Sequence, residues 1–374
     1  MSRKFRIAYF AHAIRSDWNN GNAHFLRGLL RSLGQCGHDL EIFEPEDGWS
    51  IENLRGEPRG EPSLRQFDEV YPDLNVSSYS ALDPASAGAT ARWRTALRDT
   101  EIVILHEWNS PELAQCLLGL RDELGFRLMF HDTHHRASST PEQIRLFGTD
   151  RFDGVLAFGE ALRTIYRERF NIQHAWTLHE AADTTVFRPQ SDVDKNCDVV
   201  WIGNWGDDER STEICQFLLR PAEELRQHRF TIYGVRYPAD ALRALESAGV
   251  GYGGYLPNLE GPATYAASRI TMHIPRQQYV GAMAGIPTIR VFEALACGIP
   301  LISAPWPDTE HLFREGDLRY VRNTSESIAA IEHLLSDEGA AAEQASRGLE
   351  TVLARHTCMH RAQELTAICE EVIR

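Results

Sequence analysis

The sequence predicts an α/β protein of two doubly wound, Rossmann-like domains facing a central cleft. Three observations carry that expectation. Short apolar runs of strand length alternate with segments of helical periodicity; the alternation stops at a polar stretch, QSDVDKN (190–196), and starts again after it; and 374 residues suffice for two separate cores. The expected division is an N-terminal domain over residues 1–188, a C-terminal domain over 195–355, and a closing helix over 356–374.

RIAYFAH (6–12) is an apolar run of strand length, and IRSDWNNGN (14–22) after it is a polar turn containing Gly21. Phe25, Leu26, Leu29, Leu30 and Leu33 then fall at helical spacing, and HDLEIF (38–43) is a second strand. A βαβ opening of this kind puts its first loop at the carboxyl edge of a parallel sheet. Residues 44–90 are rich in Pro, Gly, Ser and Asp and are expected to be irregular, with short strands near Val70 and Val76. EIVILHEW (101–108) is a continuous apolar strand; Ser110 offers an N-cap and Pro111 a first helical position. RLMFHD (127–132) and FDGVLAFG (152–159) are further strands, with a helix starting near Glu160. After the linker the pattern repeats: CDVVWIGNWGDDER, FTIYGVR, ITMHIPR, the helical PTIRVFEALACG and the strand IPLISA. Residues from about Glu338 to Arg374 are expected to be helical throughout.

Composition narrows the function classes. Hydrophobic residues make up 43% and charged residues 24%, as in ordinary folded proteins. No stretch approaches about twenty apolar residues, so no membrane-spanning helix is expected. The N-terminus runs from a basic start straight into a strand, without a signal-peptide apolar region. The seven cysteines are scattered, with no CxxC pair, which fits reduced thiols in the cytoplasm better than a disulfide framework. A formal net charge of −15 disfavours nucleic acid and anionic lipid as partners. No GxGxxG follows a strand, which counts against a dinucleotide cofactor.

The most informative stretch is PTIRVFEALACGIPLIS (287–303). Pro287 suits a first helical turn, Val291, Ala294 and Leu295 face a core, and Gly298 ends the helix as a left-handed cap. Free N–H groups around Thr288 make an anion site, and Arg290 adds a fixed charge able to grip phosphate with two parallel bonds. Glu293, three residues on, shares that face. A carboxylate beside bound phosphate makes sense as an acceptor from neutral hydroxyls such as a ribose diol; a plain Glu–Arg surface pair is the structural alternative.

Arg290, Phe292, Glu293, Ala294, Leu295, Ala296, Cys297, Gly298 and Pro300 together read R-x-F-E-A-L-A-C-G-x-P. This resembles the hallmark of the retaining, family-four-like glycosyltransferases of group 1, and most closely the bacterial CgeB-like group. LAFGEALRTIYRERF, EAADTTVFRP, VVWIGN and RHTCMHRAQEL fit the same resemblance in order, so it spans nearly the whole chain. It implies the two-domain GT-B architecture, a nucleoside diphosphate sugar donor bound by Arg290 and Glu293, and Asn204 and Arg210 close to the diphosphate. Gly234 is expected to let the nucleobase approach, and Arg276, after ITMHIP, to enter the same crevice. One departure stands out: many relatives carry a hexose-touching glutamate where this chain has Gly285, so the sugar is expected to be read by other groups.

In the first half, HDTHHRA (131–137) is the densest cluster of catalytic residue types, at the end of a strand. A metal site is one reading; no second His–Asp cluster stands near it to complete the ligands, and no metal is expected. The resemblance puts a histidine at this strand end against the donor sugar, which makes His131 the first candidate. Asp132 is expected to orient its imidazole or to meet an acceptor hydroxyl. His106 and Glu107 end another strand on the same edge; Asn20 and Gly21 resemble the loop that approaches donor phosphate and acceptor in relatives. Trp108 could stack on a sugar or pack the domain face. His356, Cys358 and His360 look metal-like but are expected to pack and cap.

The expected reaction is glycosyl transfer from a nucleoside diphosphate sugar to a soluble carbohydrate, small-molecule or protein acceptor, with retention and without a metal or other cofactor. An epimerase of the same fold and a catalytically silent binding subunit are the rival readings.

Overall fold

The computed structural model describes residues 3–374. The chain divides into two compact units, one formed by the residues up to Glu180 together with Cys358–Arg374, the other by Ala181–Thr357. The first domain thus ends ahead of residue 188, and the last helix belongs to it.

The first unit holds a seven-stranded sheet built from β1 (Arg6–Phe10), β2 (Asp39–Pro45), β3 (Val76–Tyr79), β4 (Ile102–His106), β5 (Arg127–Asp132), β6 (Gly154–Ala157) and β7 (Ala175–Thr177). The order is β3-β2-β1-β4-β5-β6-β7 and every pairing is parallel. Strands covered on both faces must be apolar throughout, as IVILH in β4 is. The Ala23–Gln35 helix buries Phe25, Leu26, Leu29, Leu30 and Leu33 completely. Each such side chain contributes about 1.5–3 kcal/mol. In the turn that leads into β2, His38 Nε2 meets Thr366 Oγ1 of the Cys358–Ile373 helix at 2.8 Å.

The stretch 44–90 is more ordered than its composition predicts. It forms helices at Trp49–Gly56, Gly60–Val70 and Ala87–Ala96, so Val70 ends a helix, while Val76 does begin β3. Ile51 and Leu54 in one helix, and Leu64 and Phe67 in the next, stand three residues apart on the buried side. Gly60 permits a tight turn: a Cβ there would lie 1.9 Å from the Leu54 carbonyl oxygen. The C-terminal stretch is two helices, Glu338–Arg355 and Cys358–Ile373. The break falls at His356, whose Nε2 bonds the Leu312 carbonyl at 2.8 Å and whose ring packs on Phe292 and Phe313.

The second unit holds β8 (Cys197–Ile202), β9 (Phe230–Tyr233), β10 (Gly251–Tyr252), β11 (Ser268–His273), β12 (Leu301–Ser303) and β13 (Arg319–Tyr320). Their order is β10-β9-β8-β11-β12-β13, again all parallel. The short edge strands β10 and β13 carry exposed residues and no apolar run, which is why the sequence does not display them. All seven cysteines are free thiols, four of them buried. No helix among the described residues is long and apolar enough to cross a membrane.

Candidate functional site

Both sheets run outward in two directions from a central pair, β1 and β4 in the first unit, β8 and β11 in the second. Where strand order reverses, the loops at the carboxyl ends diverge and leave a crevice. His106, Glu107, His131 and Asp132 end or follow β4 and β5, and Asn204 and Arg276 follow β8 and β11.

In the first unit the β4–β5 register sets His106 directly beside His131. Both are fully buried, as are Glu107 and Asp132. His131 Nδ1 lies 2.6 Å from the Tyr9 hydroxyl, and its Nε2 has no hydrogen-bond partner. Burial holds its pKa down at about 3, so the ring is a neutral donor or acceptor near pH 7. His12, two residues past β1, faces His106 with the two Nδ1 atoms 3.2 Å apart. His106 Nε2 reaches Thr133 Oγ1 at 3.1 Å, and Asn22 Nδ2 donates to the same oxygen at 2.7 Å. Asn20 supports this loop, donating to the Ala13 carbonyl at 3.2 Å, and Gly21 lies in the turn before the first helix.

Asp132 does not orient His131. Its carboxylate accepts from the Tyr166 hydroxyl at 2.5 Å and from the His134 amide at 2.9 Å. It therefore pins the start of the 133–135 turn. Glu107 pairs with Arg136, whose guanidinium carbon stacks 3.9 Å over the Trp108 ring. Burial raises both carboxyls, and for Glu107 the nearby Asp132 charge adds to the rise while Arg136 opposes it. Trp108 is thus a platform for Arg136 and remains 43% exposed. Among the described residues no three His, Cys, Asp or Glu side chains converge as metal ligands.

In the second unit Arg210 spans the switch point. It donates to the Asn204 carbonyl through Nε at 3.1 Å and Nη2 at 2.5 Å, and to the Ile274 carbonyl through Nη1 at 3.3 Å. Burial lowers its pKa to about 10, and it stays charged at neutral pH. Asn204 Oδ1 accepts from the Val235 amide at 2.9 Å. Gly234 is required by this packing itself, since a Cβ would sit 2.2 Å from the Gly203 carbonyl oxygen. Arg276 stands at the N-cap position of the Gln277–Val280 helix without a side-chain capping bond, and pairs with Glu209. His273 is paired in register with Ser303, bonds its hydroxyl at 2.9 Å through Nδ1, and leaves Nε2 without a partner. Burial, aided by Arg210, lowers its pKa to about 3.

The Ile289–Ala296 helix starts at Thr288, whose extended backbone leaves the first N–H groups without a side-chain cap. Pro287 is buried ahead of it, and Gly298 closes it at φ +65°. Arg290 and Glu293 form an ion pair one turn apart. Glu293 is fully buried and also accepts from Asn258 Nδ2 at 3.1 Å. Gly285 has φ +97°, and a Cβ there would lie 2.1 Å from Thr309 Oγ1. A glutamate is sterically barred from this backbone.

The sequence therefore singles out the residues that terminate β4, β5 and β8 and those of the 287–303 stretch, while His12, Thr133, Arg136, Asn258 and His273 emerge only from the fold. His12 carries a readable signal, a histidine just past the first strand of a βαβ unit.

Residues 210–367 match the glycosyl transferase-like family. No curated protein matches the chain in sequence. Solved structures match over nearly the whole length. HepE from Anabaena, in complex with UDP and glucose, is 13% identical with a TM-score of 0.71, covering 97% of this chain and 98% of that one. An α-glucosyltransferase in complex with UDP is 14% identical with a TM-score of 0.67, covering 98% and 100%. Sucrose-phosphate synthase from Thermosynechococcus elongatus is 13% identical with a TM-score of 0.64, covering 99% of each. The fold shared with these structures is GT-B.

Proposed function

We propose that this protein is a cytoplasmic glycosyltransferase that moves a hexose from a nucleoside diphosphate sugar, with a uridine nucleotide as first choice, to a soluble hydroxyl-bearing acceptor. The observation that carries the reading is the Arg290–Glu293 pair at an uncapped helix start beside the sheet's switch point. Amide donors, the helix dipole and Arg290 would hold the diphosphate, with Arg210 and Arg276 adding positive potential. Glu293 would accept from the ribose hydroxyls. Arg290 then exchanges its carboxylate partner for phosphate as the nucleotide enters.

In this reading the donor C1–O bond breaks toward the diphosphate and the acceptor oxygen bonds C1 on the same face. The acceptor proton leaves on a phosphate oxygen. Fixed cations neutralise the departing charge, so no metal is called for. His131, neutral and with Nε2 open, is suited to form a hydrogen bond with a sugar hydroxyl in the first unit's crevice. An α-glucosyltransferase of this fold is found with DNA, whereas the net charge of −15 here favours an uncharged acceptor.

Calorimetric titration with UDP and UDP-glucose, and mass spectrometry of products, test the reading. Arg290→Ala and Glu293→Ala should each weaken UDP binding about 10- to 100-fold, the range for a lost charge-assisted bond, and activity should survive EDTA. Unchanged affinity in both folded variants would remove the assignment.

A further inference from the structure

His12 stands at the crevice of the first unit, yet no role follows for it from the donor chemistry. Its ring lies 23° from parallel to that of His106, with centroids 4.9 Å apart and the two Nδ1 atoms in contact. One of those nitrogens must carry the shared proton. The Trp108 backbone N–H also points at His106 Nδ1, from 3.5 Å, and a nitrogen receiving that donor carries a lone pair. His106 therefore has its proton on Nε2 and donates to Thr133 Oγ1, which accepts from Asn22 as well. The proton between the imidazoles then belongs to His12 Nδ1.

The consequence lies at the far side of the ring. His12 Nε2 is left with a lone pair and with no partner among the described residues, in a side chain only partly buried. This tautomer is the less common one for a free imidazole, so the chain Asn22–Thr133–His106 serves to impose it. We propose that His12 receives the acceptor substrate, taking a hydrogen bond into Nε2 from a hydroxyl, with His106, Thr133 and Asn22 as positioning residues. This rests on the glycosyltransferase reading. There the reacting hydroxyl gives its proton to the leaving phosphate, so His12 takes a neighbouring one. The acceptor class is accordingly a neutral polyol, a carbohydrate with at least two hydroxyls. An ammonium group is disfavoured, because Arg136 is close enough to oppose positive charge on His12.

Nitrogen-15 NMR of the labelled full chain tests this, with His12→Gln assigning the signals. At pH 7 His12 should show a pyrrole-like Nδ1 and a pyridine-like Nε2, and His106→Ala should abolish that preference. Methyl α-glucoside, maltose and glycerol, added with UDP present, then serve as probes. At least one should shift the His12 Nε2 signal. His12→Ala should weaken its binding about tenfold, with His12→Gln recovering most of it through its carbonyl oxygen. A protonated Nε2 in the wild type, or no shift with any probe, overturns the proposal. UDP binding in the same samples reads the donor assignment separately, so the two failures are distinguishable.

Discussion

At the residue scale, Gly285 shows how backbone geometry decides which residue a position can hold. Its φ of +97° lies in the region where a side chain costs about 1–2 kcal/mol. Thr309 Oγ1 fills the space a Cβ would occupy. Gly285→Ala should therefore lower unfolding stability by about 2 kcal/mol or more in urea titration. Adding Thr309→Ala should relieve the clash and recover part of that loss, leaving the φ term. Full recovery would mean that only the clash matters. Arg290 and Glu293 were legible from sequence because a helix brings residues three apart onto one face. His12 and His273 were not, because their partners, His106 and Ser303, are set by strand register and lie 94 and 30 residues away.

At the scale of elements, apolar strands and amphipathic helices announce themselves, and both βα halves were readable for that reason. The Gly60–Val70 helix was hidden by its Gly and Pro content, although its buried Leu64 and Phe67 follow the helical period. The loop that leads into the Ile289–Ala296 helix is likewise held from outside its own sequence. Trp306 Nε1 donates to the Ile286 carbonyl at 3.0 Å, and both groups are buried. Trp306→Phe keeps most of the ring and strands that carbonyl, at a cost of about 1–3 kcal/mol. Since Ile286 precedes Pro287 and Thr288, the helix start should lose its fixed position. UDP affinity should drop about tenfold or more, within that same range, while far-ultraviolet circular dichroism stays unchanged. Retained affinity would show that the helix start is set by its own packing.

For the whole molecule, imidazoles held neutral by desolvation tie stability to pH. His12, His131 and His273 are held neutral with pKa near 3, against about 6.5 in an unfolded chain. A proton thus binds the unfolded state first, and the stability these groups contribute is present above about pH 6.5. It is lost as pH falls toward 3. Glu107 and Asp132, raised by burial, act with the opposite sign, favouring the fold at acid and losing that contribution as pH rises past about 4. The two sets oppose each other in the first unit, so its net slope is shallow. His273 stands in the second unit, and its share can be isolated by difference. His273→Gln cannot take up the proton, so relative to wild type the variant should gain about 2 kcal/mol between pH 7 and pH 5, at about 1.4 kcal/mol per pH unit below 6.5. Paired urea titrations at several pH values give that difference directly, since every other titrating group cancels. A difference that does not vary with pH would mean that His273 titrates alike in both states, and the sheet's second switch point would then be open to solvent.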